Sequence, residues 1–474
     1  MIQTSDRFRE HVTRALGDDQ LKVALGRTTG LLQSRRRQVI DEYAEYAEAR
    51  SRATAIKDHT LAHLDHYLLM FETNAIANGA VVHWAKTPVE ARRIVTQICL
   101  EAGAKTATRV KSMLGEEIGI AEALEDAGVA RIETDLAEHI IQLAEDPPSH
   151  IVMPAMHKTH EQVAVLFDKM HRVAPDTHDI PDLVGSARRE LRTKFLSADV
   201  GISGANFLIA DTGAIVTVTN EGNSELTCTP PKTHIVTVGI EKVVPGMDHA
   251  SVFLRLLSRA AIGAEITQYT TFYNGPKRSG DADGPENYHI VLVDNHRTDM
   301  LGSDLQPMLR CIRCGACMNH CPVYAAVGGH AYGAVYPGPM GSVLTPALSS
   351  LEAAKDLPNA CTLNGRCKEV CPVNIPLPDM LRTLRARQWD ARLATPLTRG
   401  ALAGWGFVAR RPRLYRAATA LAVFGMRLWA MGRPRIRRMP LAGGWLQHRD
   451  LPRPEKGSFM QQYKASGLAK GSRP

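Results

Sequence analysis

Residues 311–322 decide the architecture of this chain, and they read Cys-Ile-Arg-Cys-Gly-Ala-Cys-Met-Asn-His-Cys-Pro. The four cysteines follow the spacing C-x2-C-x2-C-x3-C-P, which is typical of bacterial iron–sulfur ligand runs. Such short gaps let one turning loop reach neighbouring irons on one face of a cubane, while its backbone amides point at the sulfurs. A structural zinc site uses paired knuckles of ligands instead, so this run predicts an iron–sulfur cluster.

Residues 361–372 form a second run, Cys-Thr-Leu-Asn-Gly-Arg-Cys-Lys-Glu-Val-Cys-Pro, which repeats the template with one change. Asn364 stands where the second cysteine would be. In two-cluster domains the last cysteine of each run ligates the cluster of the other run. The predicted ligands are Cys311, Cys314, Cys317 and Cys371 for cluster one, and Cys321, Cys361 and Cys367 for cluster two.

Cluster two is one thiolate short under this assignment. A neutral amide is a poor substitute for a thiolate on iron. The fourth iron is therefore either absent, giving [3Fe-4S], or held weakly by Asn364, solvent or another group. We expect [4Fe-4S] at cluster one and either [4Fe-4S] or [3Fe-4S] at cluster two. The remaining cysteines, Cys99 and Cys228, are predicted to be buried apolar side chains.

The composition is that of a folded protein. The chain has 474 residues, of which 44% are hydrophobic and 22% charged, and this length suits about three domains. Because seven of the nine cysteines lie in the two runs, we expect metal binding in a reducing cytosol rather than a disulfide scaffold. No window reaches the roughly 18 uninterrupted apolar residues of a membrane span, and the first residues lack a signal-peptide pattern.

The regions before the cysteine runs differ in their patterns. Apolar residues at helical spacing up to about residue 75 predict a helical N-terminal arm, with Leu61, Leu64, Leu68 and Phe71 on its apolar stripe. From there to about residue 300, β-rich runs alternate with helical patterns, which indicates a layered α/β domain. The predicted strands are 80–82, 106–110, 130–133, 150–152, 207–210, 215–219, 234–239 and 289–293. Residues 206–220 predict a hairpin.

A substrate pocket in the α/β domain is a weaker hypothesis. Lys111 and Ser112, near a predicted strand end, could bind a carboxylate, and Glu133 with Asp135 could orient a hydroxyl or act as a base. His150 is a further candidate. Helix capping and surface chemistry account for the same residues, so no catalytic residue is assigned.

The C-terminal region is strongly basic. Residues 391–474 carry 17 Lys and Arg against two acids, whereas the rest of the chain is mildly acidic. Within a predicted amphipathic helix, an apolar stripe recurs at Leu414, Leu421 and Leu428. This region could lie on an anionic membrane, dock a partner subunit or pack on its own protein. Nucleic-acid binding is not expected, because no recognition module accompanies the arginines.

Several stretches resemble the lactate utilization protein B family, the iron–sulfur subunit of a bacterial L-lactate oxidation system. The matching stretches are residues 111–113 (KSM), 133–136 (ETDL), 148–154 (PSHIVMP), 202–207 (ISGANF), 219–223 (TNEGN) and 329–339 (GHAYGAVYPGP). The resemblance implies a LUD domain with a fold similar to the NagB/RpiA/CoA-transferase group, followed by a mainly α-helical two-cluster ferredoxin-type domain. The expected parts are an N-terminal helical arm (1–70), the LUD α/β domain (71–303), the two-cluster domain (304–385) and a basic amphipathic C-terminal region and tail (386–474).

The resemblance also implies a function. The chain would transfer electrons within a complex that oxidises L-lactate to pyruvate, allowing growth on lactate, and would have no activity alone. Its partners would be sister subunits and an electron acceptor, and its location cytoplasmic, with peripheral contact at the inner face of the membrane. Two alternatives stay open: an oxidoreductase for lactate or another 2-hydroxy acid such as glycolate, with substrate bound in the LUD domain, and an iron–sulfur hydro-lyase with an open iron site.

Overall fold

The N-terminal part of the chain is helical in the computed structural model, which describes residues 3–171, 179–440, 442–446 and 449–466. Its helices are α1 (Phe8–Gly17), α2 (Asp19–Asp41), α3 (Tyr46–Ala62) and α4 (Leu64–Ala77). Asp18 caps helix α2: its side chain accepts the Leu21 N–H at 2.9 Å and so satisfies a free donor of the first turn. The predicted stripe from Leu61 to Phe71 is buried.

A parallel sheet forms the centre of the α/β part. The strands in chain order are β1 (Val81–Ala85), β2 (Thr106–Arg109), β3 (Ala130–Glu133), β4 (Val200–Gly204), β5 (Phe207–Ile209), β6 (Ala214–Thr219), β7 (Thr233–Gly239), β8 (Val243–Val244), β9 (Tyr269–Tyr273) and β10 (Asn287–Val293). Six of them pair in the order β1-β10-β7-β4-β2-β3, each neighbour parallel to the next. Strand β7 is buried along its length, as expected for a strand covered on both faces. The α/β fold class is confirmed.

Helices cover this sheet and connect its strands. They are α5 (Pro88–Glu101), α6 (Met113–Ile118), α7 (Ile120–Asp126), α8 (Leu136–Leu143), α9 (His160–His171), α10 (Ile180–Ser197), α11 (Asn223–Cys228) and α12 (Met247–Ala261). Ile235 of β7 packs with the apolar face of α5, whereas its neighbour Val236 packs with α4. The sheet therefore has an apolar core on each face, because successive strand residues point in opposite directions.

A second, smaller sheet has the strand order β8-β5-β6-β9. Strands β5 and β6 are antiparallel, which confirms the hairpin predicted for residues 206–220. Its turn contains Gly213, with a φ of +70°. A Cβ at Gly213 would lie 2.3 Å from the backbone nitrogen of Ala75, so glycine permits both the left-handed turn and the close approach of α4.

One predicted strand is wrong. Residues 150–152 form a bend, not a strand. The N–H groups of Val152 and Met153 donate to Nδ1 of the His150 side chain, at 3.1 and 3.0 Å. A side chain therefore binds the donors that a strand would offer to its neighbour.

The cysteine-containing part is helical, with short helices between loops. These helices are α13 (Ala316–Asn319), α14 (Pro322–Val327), α15 (Gly338–Leu348), α16 (Arg366–Glu369) and α17 (Leu377–Asp390). Together with the preceding elements they belong to one compact unit, Met1–Asp390. Its largest apolar core joins side chains from the N-terminal helices, α12 and the cysteine-containing part.

The second compact unit is Ala391–Pro474. Its elements are α18 (Pro396–Ala409), α19 (Pro412–Ala430), β11 (Arg435–Ile436), α20 (Gly443–Leu446), β12 (Leu451–Pro452) and α21 (Phe459–Ala465). Helices α18 and α19 contact each other, and they expose large apolar side chains, among them Leu397, Leu421 and Leu428. Among the described residues, no helix combines the length and apolar character needed to cross a membrane.

Candidate iron–sulfur site

The two cysteine runs fold into loops with the same backbone pattern. Arg313 and Leu363, each the third residue of its run, have φ values of +60° and +56°. Gly315 and Gly365, each the fifth, have φ values of +74° and +84° and precede α13 and α16. Because left-handed backbone is uncommon outside glycine, its recurrence at equivalent positions indicates that both runs form one type of loop.

Four thiols come together at the first loop. Burial, together with the nearby Cys371 and Cys311 thiols, raises the pKa of the Cys314 thiol to about 12. Burial and the Cys314, Cys311 and Cys371 thiols likewise raise the pKa of Cys317 well above its ordinary value. The first thiol group, Cys311, Cys314, Cys317 and Cys371, thus combines three cysteines of one run with the last cysteine of the other.

The second thiol group consists of Cys321, Cys361 and Cys367. Burial and the nearby Cys361 and Cys321 thiols raise the pKa of Cys367 to about 12. The Cys367 thiol also raises the pKa of Cys317, so the two groups are neighbours. Asn364 is exposed, and its side-chain oxygen accepts the Arg366 N–H at 3.2 Å at the start of α16.

The donor chemistry of both groups fits iron–sulfur clusters. Thiolates are the usual ligands of such clusters, and backbone N–H bonds to sulfur tune them. The N–H of Ile375 donates to the Cys371 sulfur and that of Leu363 to the Cys361 sulfur, both at 3.3 Å. Throughout the described ranges, no three His, Cys, Asp or Glu side chains are arranged to hold a single metal ion.

Cationic side chains surround Cys311. The Lys242 ammonium donates to the Cys311 carbonyl at 3.3 Å, and Lys57 of α3 donates to the Glu241 carbonyl. Burial lowers the pKa of Lys57 to about 7 and that of Lys242 to about 8. Arg313 lies 3.4 Å from the Glu241 carboxylate. We name Lys57, Lys242 and Arg313 the cationic group, and positive charges of this kind stabilise a nearby anionic centre.

Sequence reasoning missed the cationic group, although two members left a signal. Lys57 lies on the buried stripe of α3 with Ala53, Ile56 and Leu61, where a lysine is rarely found unpaired. Arg313 lies inside the first run, between Cys311 and Cys314. The position of Lys242 depends on a distant chain crossing, which sequence patterns do not reveal.

The N-terminal helices bind the second run through arginines. Arg36 of α2 donates to the Val370 carbonyl at 3.0 Å. Arg50 of α3 donates to the Cys371 carbonyl at 2.7 Å. Both guanidinium groups thus satisfy backbone carbonyls at the end of the second run.

A cavity of about 390 Å³ lies outside the carboxyl ends of β2, β4 and β7, where open α/β sheets bind ligands. Of the predicted pocket residues, Lys111, Ser112 and Asp135 line it. Ser112 and Asp135 also cap α6 and α8. Lys111 donates to the Val152 carbonyl at 2.7 Å.

Two predicted pocket residues lie outside this cavity. The Glu133 carboxylate is buried, 2.9 Å from the Arg109 guanidinium and 3.3 Å from that of Arg131. His150 is buried against the first cysteine loop, where its Nε2 lies 3.1 Å from Oδ1 of Asn319. Because Nδ1 of His150 accepts two backbone N–H groups, its proton is on Nε2 and is donated to Asn319.

Three known families match successive parts of the chain: the α/β part, the cysteine-containing part and the C-terminal unit. The LUD domain family matches residues 68–293, a 4Fe-4S dicluster domain matches residues 307–375, and the C-terminal family of lactate utilisation protein B matches residues 391–467. A LUD domain joined to a dicluster domain defines the class of protein: an iron–sulfur protein with an α/β domain of the LUD type.

Full-length relatives narrow the class. Lactate utilization protein B of Shouchella clausii is 40% identical over 466 residues, covering 98% of each chain. The protein of the same name from Bacillus subtilis is 39% identical over 461 residues, covering 96% of this chain and 95% of that one. An uncharacterized electron transport protein of Escherichia coli is 37% identical over 465 residues and 98% of both chains. This chain belongs to the lactate utilization protein B family.

Proposed function

We propose that this chain is the iron–sulfur electron-transfer subunit of a complex that oxidises L-lactate to pyruvate and so allows growth on lactate. The observation that carries the proposal is the grouping of seven cysteines into one set of four and one neighbouring set of three. The names of the relatives support both halves of it, since they refer to lactate utilization and to electron transport.

The proposed ligands follow the two thiol groups. Cys311, Cys314, Cys317 and Cys371 would hold a [4Fe-4S] cluster one, and Cys321, Cys361 and Cys367 would hold cluster two as [4Fe-4S] or [3Fe-4S], with Asn364 at the vacant position. When bound, the clusters supply one-electron transfer. The chain itself binds the iron, excludes water and sets the local charge. The division at residues 70, 303 and 385 remains our proposed domain organisation.

The proposed partners are the sister subunits of the lactate utilization complex and an electron acceptor. Conversion of lactate to pyruvate releases two electrons and two protons at or near a sister subunit. The electrons would pass singly through the neighbouring clusters to the acceptor, while the protons leave to solvent. The chain alone would therefore not turn over lactate.

The cofactor assignment is tested by anaerobic purification with iron and sulfide counting and electron paramagnetic resonance. We expect two cluster signals, and Cys314→Ala should remove cluster one. Cys99→Ala is the matched control, because Cys99 is also buried but lies on α5, in the core between that helix and the sheet. A colourless protein, or equal iron loss in both variants, would contradict the assignment.

The electron-transfer role is tested in the complex reconstituted with its sister subunits. We expect lactate-dependent reduction of an added acceptor, and we expect Cys314→Ala to abolish it while Cys99→Ala does not. Full activity in Cys314→Ala would rule out a relay through cluster one. Lactate oxidation by the isolated chain would instead favour the 2-hydroxy-acid oxidoreductase.

We also propose that the chain is cytoplasmic and touches the inner face of the membrane through α18 and α19. Leu421 and Leu428 are 71% and 68% exposed, and residues 391–440 contain eleven arginines and no acid. An exposed apolar stripe with surrounding arginines is the pattern of an interfacial helix on anionic lipid.

Flotation of the full chain with lipid vesicles tests this contact. We expect binding to vesicles rich in phosphatidylglycerol, weak binding to phosphatidylcholine vesicles, and loss on replacing Leu421 and Leu428 with aspartate. Leu196→Asp is the control, since Leu196 of α10 is 63% exposed outside this region. Flotation unaffected by the Leu421 and Leu428 substitutions would contradict the proposal.

A further inference from the structure

The cavity beside the LUD sheet has a lining that the proposed electron transfer does not explain. Its floor contains Gly204 and Gly239, the last residues of β4 and β7. A Cβ at Gly239 would lie 2.1 Å from the Glu241 carboxylate, and one at Gly204 would lie 2.9 Å from the Ser112 hydroxyl. Glycine at both strand ends therefore lets polar side chains occupy the crevice.

Cations and carboxylates meet at the inner end of the cavity. Arg297 binds both oxygens of Glu117 at 2.8 and 2.9 Å, and it binds Glu241 at 2.7 Å. Arg313 shares the Glu241 carboxylate. Lys242 lines the same end but, within the described residues, forms no ion pair and donates to the Cys311 carbonyl. Three lining cations thus face one lining carboxylate, Glu241, with Glu117 and Lys57 behind them, so positive charge is in excess at this end.

Away from β7 in the sheet order, near β3, the cavity is lined by two acidic side chains with Lys111 beside them. These acids are Asp135 and Glu221, and burial together with the nearby Asp135 carboxylate raises the pKa of Glu221. Val218 and Leu257 contribute apolar side chains to the walls. A second negative group on a ligand would therefore be repelled by the two acids, whereas one carboxylate on a small apolar body would be attracted to the excess positive charge.

We propose that this cavity binds a small organic monocarboxylate, with its carboxylate on Lys242 and Arg313 and its body against Val218. Because Arg313 belongs to the first cysteine loop, an occupied cavity adds a negative charge beside the first thiol group. The inference rests on the proposed function only in the choice of L-lactate as a probe. Neither a sister subunit nor an electron acceptor is needed to test it.

The experiment is calorimetric titration of the full, anaerobically purified chain with L-lactate, L-malate and inorganic phosphate at constant ionic strength. We expect L-lactate to bind, and L-malate and phosphate to bind at least about tenfold more weakly, since each carries more than one negative charge near pH 7. No heat with L-lactate at millimolar concentration, or equal binding of L-malate, would overturn the monocarboxylate assignment.

Matched lysine variants locate the binding site. Lys242→Met and Lys57→Met each remove one buried lysine near Cys311, but only Lys242 lines the cavity. We expect Lys242→Met to weaken L-lactate binding at least about tenfold, the value of one charged hydrogen bond, and Lys57→Met to change it less than about threefold. Equal weakening in both variants would mean that general attraction, not this cavity, binds the anion.

A third variant removes space instead of charge. Val218→Phe should fill the cavity and abolish L-lactate binding even if Lys242→Met does not fold. Unchanged binding in Val218→Phe would overturn the inference.

Failure of L-lactate to bind would leave the relay intact, because reduction of the acceptor in the reconstituted complex is measured separately. A chain without clusters that still bound L-lactate would overturn the relay alone.

Discussion

The Arg310 guanidinium binds both carboxylate oxygens of Asp58, with Nε–Oδ1 and Nη2–Oδ2 distances of 2.6 and 2.8 Å. Arg310 directly precedes Cys311, and Asp58 lies on α3. Arg310 also donates to the Asn374 carbonyl at 3.3 Å, just beyond the second run. One side chain therefore connects the N-terminal helices with both cysteine loops.

Asp58→Asn should lower the free energy of unfolding by about 1 kcal/mol, since a two-bond ion pair is lost at a half-exposed position. It should also speed the loss of iron to a chelator. Anaerobic urea titration and the absorbance decay of the clusters measure the two effects. Asp19→Asn, which breaks the exposed pair with Lys22, is the control and should change neither. Equal iron loss in both variants would contradict a role for Arg310 at the loops.

Arg313→Gln should lower the midpoint potential of cluster one. The substitution removes a positive charge beside Cys311, and with an effective dielectric constant near 20 the change should be on the order of tens of millivolts. Anaerobic redox titration monitored by electron paramagnetic resonance gives the potential. Arg131→Gln removes a charge near Glu125 and Glu133 in the α/β part and should leave it unchanged. A rise on Arg313→Gln would show that the guanidinium does not stabilise the reduced cluster.

Asn364→Cys should complete the thiolate set of cluster two. If the unsubstituted chain holds [3Fe-4S] there, its iron content of about seven per chain should rise to about eight. If it already holds [4Fe-4S], the iron content should stay constant and the added thiolate should lower the potential of cluster two. Iron counting and electron paramagnetic resonance distinguish these cases. Thr362→Cys, two residues away, controls for an added thiol. It should neither raise the iron content nor lower the potential of cluster two.

His234 should make the protein less stable in mild acid. Burial lowers the pKa of His234 to about 3, and its Nε2 is 2.8 Å from the Ser203 hydroxyl. The unfolded chain binds a proton below pH of about 6.5 while the folded chain does not. The free energy of unfolding should therefore fall by about 1.4 kcal/mol per pH unit as the pH drops from about 6 towards 4.

Anaerobic urea titrations of the unsubstituted chain and of His234→Gln at several pH values measure this slope. Other buried histidines, among them His139, act in the same direction, so only the difference between the two proteins reports His234. Between about pH 6 and pH 4, the free energy of unfolding of His234→Gln should fall less steeply, by about 1.4 kcal/mol per pH unit. Parallel slopes would mean that His234 is protonated in the folded state.

Sequence patterns predicted the elements that depend on local apolar runs. Strand 130–133 has the predicted ends. Strand β4, in contrast, was missed because Gly201 and Gly204 weaken its pattern. A Cβ at Gly201 would lie 2.0 Å from the Thr227 carbonyl, so the approach of α11 requires a residue that strand propensity disfavours. Strand β4 thus depends on packing against a distant part of the chain, which its local sequence does not reveal.

The cysteine site was predictable because its chemistry fixes its spacing. The pairing of Cys371 with the first run follows from the repeated template, and the structure brings these thiols close together. The surroundings were not predictable. Lys242 reaches Cys311 across 69 positions of the chain, and His150 faces Asn319 rather than the cavity. Such contacts arise from tertiary folding and leave no periodic signal.

The bonds from Arg36 and Arg50 to the second run also bear on the order of biogenesis. Helices α2 and α3 leave the ribosome long before the last cysteine is translated. Until residues 370 and 371 are translated, Arg36 and Arg50 therefore lack these carbonyl partners. A nascent chain cut between residues 322 and 370 would keep an intact first run but would lack the carbonyl partners of both arginines and the sulfur of Cys371. Truncated products should accordingly be recognisable to cellular proteases by an unanchored N-terminal arm.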